Sequence, residues 1–208
     1  MKKYFNEYFA KVVLESCFPQ KFDILEISDK PDLRHLDSNT GIEVTYSMPK
    51  KEAEAVNVWH RIHKGKSKNI ERDIERLSQL GIEYNCQAFV WEQGCYNERI
   101  KEGPIKEFFD AVSQKVERLN SKNAGYANMA HYELFVNSTI LIPDEQIMAV
   151  IELLKEINCQ NKKFETIYLI TIEQKLYIFD MLKECLHIKY LYNHLNWMAK
   201  KAKQLLIE

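Results

Sequence analysis

The sequence predicts a single α/β domain with a central mixed β-sheet flanked by helices. With 208 residues, 46% of them hydrophobic, the chain can bury one substantial core. Only 6 Gly and 5 Pro speak against a turn-dense all-β sandwich. Helix-period stretches and short strand-like runs also interleave along the whole length, in the predicted order α-β-β-β-α-α-β-α-β-α-β-β-α.

Each element has a local reason. Residues 3–17 place Tyr4, Phe5, Tyr8, Phe9, Val12 and Val13 on one helical stripe, which Phe18-Pro19 ends. Phe22 to Ile27 alternates loosely and predicts a strand, and two further strands follow around the turn cluster Asp37-Ser38-Asn39-Thr40. From Pro49 to about Leu80 the pattern is helical in two pieces, broken near Gly65 and stopped by Gly81. Cys86 to Trp91 reads as a strand, then a polar loop around Gly94, then a helix from about Ile105 to Leu119. Tyr132 to Val136 is a strand, and Pro143 opens a helix over Asp144 to Ile157. Thr166–Thr171 and Leu176–Asp180 predict a hairpin across Glu173-Gln174, and an amphipathic helix from Lys183 to about Ile207 closes the chain.

Composition excludes several function classes. The net charge of −1 shows no overall basicity, so nucleic-acid binding would need a local patch. Five scattered cysteines form no C-x-x-C pair and fit reduced thiols. An acid at Glu7 falls where a signal peptide needs its apolar core, and no run of about 18 apolar residues exists. The expectation is a cytoplasmic protein with no membrane contact. No phosphate-cradling glycine loop or G-x-S-x-G elbow is present.

The most informative stretch is Pro31-Asp32-Leu33…Gly41-Ile42-Glu43-Val44-Thr45. A hairpin symmetric about the turn cluster sets Leu33 opposite Ile42 and Asp32 opposite Glu43. Like charges directly opposed destabilise a hairpin, and a divalent cation between them would remove that cost. Mg²⁺ takes oxygen ligands, often one or two carboxylates with substrate phosphates. Strand alternation sets Glu43, Thr45 and Ser47 on one face, and Ile42, Val44 and Tyr46 on the other. The apolar face belongs under the N-terminal helix and the polar face in a cleft.

A helix carrying an acid, then Pro-Asp-x(10)-Glu on a hairpin, then a helix resembles the PD-(D/E)XK, or restriction-endonuclease-like, nuclease superfamily. The resemblance covers about residues 4–136, leaving about 137–208 as a C-terminal α/β elaboration. It implies Asp32 and Glu43 as ligands for one or two Mg²⁺ (or Mn²⁺) ions, and Glu7 as the auxiliary helix acid. The lysine expected two residues after Glu43 is Thr45 here, which can orient a water but carries no charge. The family moves this lysine to a neighbouring helix in some members, which makes Lys115 the candidate, with Lys50 and Lys51 as others. The Lys115-x-x-Arg118-Leu119-Asn120 stretch followed by Gly125-Tyr126 resembles nuclease-like sequences with Glu-Val-Thr in the hairpin.

Two basic features complete the expectation. His60 to Lys68 carries Arg61, Lys64, Lys66 and Lys68 with no acid, the local patch that phosphate contacts need. Near the C-terminus, Lys189, Lys200, Lys201 and Lys203 interleave with Tyr190, Tyr192 and Trp197. That mixture suits stacking on unpaired bases, or a helix docking its aromatic face on the sheet. The implied activity is metal-dependent hydrolysis of phosphodiester bonds, with DNA favoured, in restriction, repair or defence. The competing expectation is an inactive module of the same fold that binds nucleic acid or a protein. Two-fold homodimers are common among soluble proteins, but no segment marks an interface.

Overall fold

A computed structural model describes residues 4–48, 50–84, 89–91, 104–192 and 194–207. It shows an α/β protein built as two compact units, residues 1–47 with 108–208, and residues 48–107. Among the described residues no helix is long and apolar enough to cross a membrane.

The larger unit is organised on a seven-stranded mixed sheet in the order β1-β2-β3-β6-β7-β8-β9. The strands are β1 (Glu26–Ile27), β2 (Leu33–His35), β3 (Thr40–Ser47), β6 (His131–Ser138), β7 (Thr166–Ile170), β8 (Lys175–Asp180) and β9 (Cys185–Tyr190). β3, β6 and β7 run parallel and their long buried runs form the centre, as expected where both faces are covered. The outer strands pair antiparallel as hairpins.

Helix α1 (Phe5–Cys17) and the last helix, α6 (His194–Leu205), cover one face. Phe9, Val12 and Val13 of α1 and Met198 and Ala202 of α6 join Ile42, Val44, Phe135 and Tyr168 in one buried cluster. Beneath α1, the Glu133 carboxylate is buried but satisfied: Lys21 Nζ lies 2.6 Å away and the Tyr168 hydroxyl donates to it at 3.0 Å. Helix α4 (Pro104–Asn120) and helix α5 (Ile147–Ile157), entered through a 3₁₀ turn at Asp144–Gln146, complete this unit's described helices.

The smaller unit holds α2 (Lys50–His63), α3 (Ile70–Gln79) and a two-stranded ribbon, β4 (Ile82–Tyr84) with β5 (Phe89–Trp91). Ala55, Val58, Ile62, Leu77 and Ile82 form its core. Gly65 and Gly81 end the two helices at positive φ (63° and 79°), the conformation that favours glycine there.

Three sequence expectations need correction. Only Glu26–Ile27 of the Phe22–Ile27 run is strand. Lys21 and Phe22 donate their N–H groups to Phe18 O as the end of α1, and Asp23 accepts the Ile24 N–H. These bonds divert residues 21–24 from the ladder. The helix expected from Lys183 starts only at His194. Asp180 Oδ1 accepts the N–H groups of Leu182 and Lys183 and Glu184 takes φ 53°, so the chain turns back and Cys185–Tyr190 becomes β9. Lys189 and Tyr190 therefore lie on a sheet edge rather than on the helix that carries Trp197. Finally, β4 was not expected, because Ile82-Glu83-Tyr84 is too short to show a period. Cys86–Ala88 and the loop around Gly94 lie outside the described residues.

Candidate active site

The site grows from the β2–β3 register. Leu33 pairs with Ile42, Arg34 with Gly41 and His35 with Thr40, the pairing that symmetry about the turn demands. Leu33 and Ile42 are buried in the α1 cluster, so alternation turns Asp32 and Glu43 to the opposite face. The β2 ladder ends at Leu33, and the Asp32 carboxylate continues the bonding: its Oδ2 accepts the Val44 N–H at 2.7 Å. Gly41 permits this close approach, because a Cβ there would lie 2.6 Å from Pro31 Cγ and 2.9 Å from Met129 Cγ.

Lys115 arrives from α4. Phe108, Val112, Val116 and Leu119 form the buried stripe of that helix, and Lys115 flanks it, so its alkyl stem is enclosed. Its ammonium lies 2.6 Å from Glu43 Oε2 and 3.3 Å from Asp32 Oδ2. Those contacts hold the two carboxylate oxygens at most about 6 Å apart, and one ion with ligand distances near 2.1 Å would need its two oxygens within about 4 Å of each other.

The electrostatics are those of a nearly dry site. Glu43 is 2% exposed, and this burial pushes its carboxyl above the ordinary range; Lys115 opposes the shift and Asp32 adds to it. Its second oxygen, Oε1, is buried with no hydrogen-bond partner. A buried carboxylate oxygen without a donor is costly unless a proton, a water or a cation reaches it. Hard oxygen donors of this kind fit Mg²⁺ or Mn²⁺.

Tyr126 entered the sequence reading only as part of the stretch that resembles nuclease-like sequences, yet its hydroxyl comes close enough to the Glu43 carboxylate to interact with it. The loop that carries it is tied to the hairpin: Ala127 N–H donates to Lys30 O and Ala130 N–H to Asn39 O, both at 3.0 Å. The Tyr132 hydroxyl donates to Ala127 O at 2.7 Å and accepts the Met129 N–H at 3.1 Å. Burial and the neighbouring Glu43 push the Tyr126 phenol well above its ordinary value, so at neutral pH it is a donor and not a base. The Gly125-Tyr126 pair after Asn120 was the one signal available in the sequence, and Gly125 takes φ 72° in the structure.

The remaining expected residues are placed differently. Thr45 shares the Glu43 side of β3 and is half-buried. Glu7 belongs to α1, on the other face of the sheet, and the contacts joining Asp32, Glu43 and Lys115 are made without it. In the smaller unit, Arg61, Lys64, Lys66 and Lys68 are exposed, as is Lys51 at the start of α2. Arg61 is not free for phosphate: its Nε donates to Asp73 Oδ2 at 2.9 Å and its Nη2 to Oδ1. Arg61 and Ser67 hold the Asp73 carboxyl down at about 2.

A separate trio, Asp23, His35 and Asp37, brings its ligand-type atoms within 4.8 Å of one another. Both His35 ring nitrogens are already engaged, Nε2 with Asp23 at 2.8 Å and Nδ1 with Ser38 at 2.7 Å. The buried ring thereby pins Asp23 to the hairpin. No family model matches this chain, and no curated protein or solved structure does either.

Proposed function

We propose that the chain is a divalent-metal-dependent nuclease that hydrolyses phosphodiester bonds, with DNA as the favoured substrate and restriction, repair or defence as its setting. The observation that carries this reading is the buried, unpartnered Glu43 Oε1 beside Asp32. Asp32 and Glu43 would hold Mg²⁺ or Mn²⁺, which when bound supplies Lewis-acid polarisation of the phosphate and a more acidic water. Lys115 answers the absence of lysine at position 45. It brings a positive charge from α4 to the same two carboxylates, where it can stabilise charge developing on phosphate oxygens. Thr45, on the same side of the strand, can orient a water, and Tyr126 holds the Glu43 carboxylate in place. The cationic run of the smaller unit, including Lys64, Lys66 and Lys68, supplies phosphate contacts.

The test is cleavage of plasmid and single-stranded DNA in Mg²⁺ or Mn²⁺ by the wild type and by Asp32→Ala and Glu43→Ala. Metal-dependent cleavage lost in both variants supports the reading, and cleavage that survives both overturns it. One observation favours a second reading, an inactive binding module of this fold: Lys115 already bridges both acids, so the pair persists without a metal. DNA binding without cleavage under every metal condition is the result that would select it.

A further inference from the structure

The smaller unit contains a cavity of about 690 Å³ lined by Arg61, Lys66, Lys68, Arg72 and Arg76 together with Asp73. Glu75 is the other acid on its wall. Two of the five cations are structural. Arg61 is locked to Asp73, and Arg76 forks onto Glu54 at 2.7 Å and 2.9 Å. The other three, Lys66, Lys68 and Arg72, form no ion pair with any described acid. Arg72 also acts on Asp73 through space, but none of the three is tied up in a contact pair.

The wall that presents them is rigid. Lys66 N–H donates to Arg61 O and Gly65 N–H to Ile62 O, a Schellman closure of α2 with Gly65 at φ 63°. Ser67 Oγ donates to Asp73 Oδ2 at 2.7 Å, and the Asn69 side chain accepts the Arg72 N–H at 3.0 Å as the cap of α3. Lys66 and Arg72 are thus anchored through their backbone N–H groups, and Ser67 and Asn69 fix the turn on either side of Lys68.

The chemistry of the lining selects the ligand. It has no aromatic side chain on which a base could stack, so recognition falls on phosphate. Its volume is that of a small-molecule site. Lys66, Lys68 and Arg72 less Glu75, three cations against one acid, leave a net charge of +2 on the wall. That matches a phosphate monoester, at about −1.5 to −2 at pH 7, better than one internal phosphodiester with a single charge. We propose that this cavity binds the terminal phosphate monoester of a nucleic-acid strand. The choice of a nucleic-acid strand as occupant rests on the reading proposed above, while the phosphate site itself does not depend on the Asp32–Glu43 chemistry.

The experiment is fluorescence anisotropy with the full chain in EDTA, so that metal-dependent cleavage plays no part. The probes are one single-stranded DNA oligonucleotide with a 5′-phosphate, with a 3′-phosphate, and with hydroxyls at both ends. A phosphorylated end should tighten binding by about tenfold, as charge-assisted hydrogen bonds to a dianion require. The Lys66→Gln/Lys68→Gln/Arg72→Gln variant, altered only at exposed side chains and checked for folding by circular dichroism, should erase that preference. Equal binding of all three probes, no binding, or a preference that survives the triple variant overturns the proposal. A 5′-mononucleotide that competes as well as the phosphorylated oligonucleotide would assign the pocket to free nucleotides and overturn the strand-end reading.

Discussion

Lys115 Nζ lies 2.6 Å from Glu43 Oε2, with its side chain 12% exposed and that of Glu43 only 3%. The two residues are 72 positions apart, one on a helix and one on a central strand. An ammonium therefore occupies the space between two acids that strand pairing alone would leave in repulsion. The same pair gives the site its cation and gives the fold a reason to keep both carboxylates.

Replacing Lys115 with methionine keeps the apolar stem and removes the charge. Breaking a buried pair from one side costs about 3–5 kcal/mol, read as a lower urea midpoint in EDTA. Mg²⁺ should recover more of that stability than it adds to the wild type, because the freed carboxylates bind it more tightly. Cleavage should nevertheless fall by roughly two orders of magnitude, the scale of losing one electrostatic contact to the transition state. A variant that cleaves at the wild-type rate would remove Lys115 from the mechanism.

Gly41 lies between the two acids in sequence, and its constraint is space. A Cβ would enter within 2.6 Å of Pro31 Cγ and 2.9 Å of Met129 Cγ. Gly41→Ala should cost about 1–3 kcal/mol, the range for overpacking a tight contact. By displacing Pro31 it should also shift Asp32 and weaken Mg²⁺ binding in calorimetry. An alanine variant with unchanged stability and affinity would show that the hairpin yields at no cost.

Tyr126→Phe deletes one hydroxyl next to Glu43 and leaves the ring that fills the loop. A hydrogen bond to a charged group contributes about 1.5–3 kcal/mol, so cleavage should drop by roughly tenfold or more with circular dichroism unchanged. Because the phenol is pushed up and stays neutral, the pH profile of the residual activity should keep its shape in the neutral range. A lost limb in that profile would make Tyr126 an acid or base instead of a positioning residue.

The hairpin register was fully legible, since the turn cluster and the Leu33–Ile42 pair leave one solution that buries the apolar face. The central strands were legible for a related reason: runs such as Tyr132 to Val136 are apolar on both faces. β9 was hidden because Leu186 and Ile188 also fit a helical stripe, and the deciding hydrogen bonds come from the Asp180 side chain. Tyr126 was hidden because its position depends on loop bonds to Lys30 and Asn39, roughly ninety residues upstream, a separation no local periodicity encodes. Arg61 read as a free cation because its partner, Asp73, sits on the next helix.

Glu43 sets the pH dependence of stability without metal. Its ordinary value is 4.5, and burial raises it in the folded chain. The folded state thus holds this proton more tightly than the unfolded state. Above the raised value both states are ionised and the folded chain bears the cost of a buried charge. As pH falls through the raised value the folded chain takes up the proton first, so stability grows, and the gain is complete below 4.5. Glu43→Gln removes this titration. In EDTA the wild type should gain stability relative to the variant as pH falls toward 4.5, on top of the constant offset that loss of the Lys115 contact gives the variant. Adding Mg²⁺ at pH 7 should raise the wild type and leave the variant unmoved, because a bound cation stabilises the ionised carboxylate that burial penalises. A wild type that loses stability relative to the variant toward acid would mean that Lys115 outweighs burial and holds Glu43 below its ordinary value.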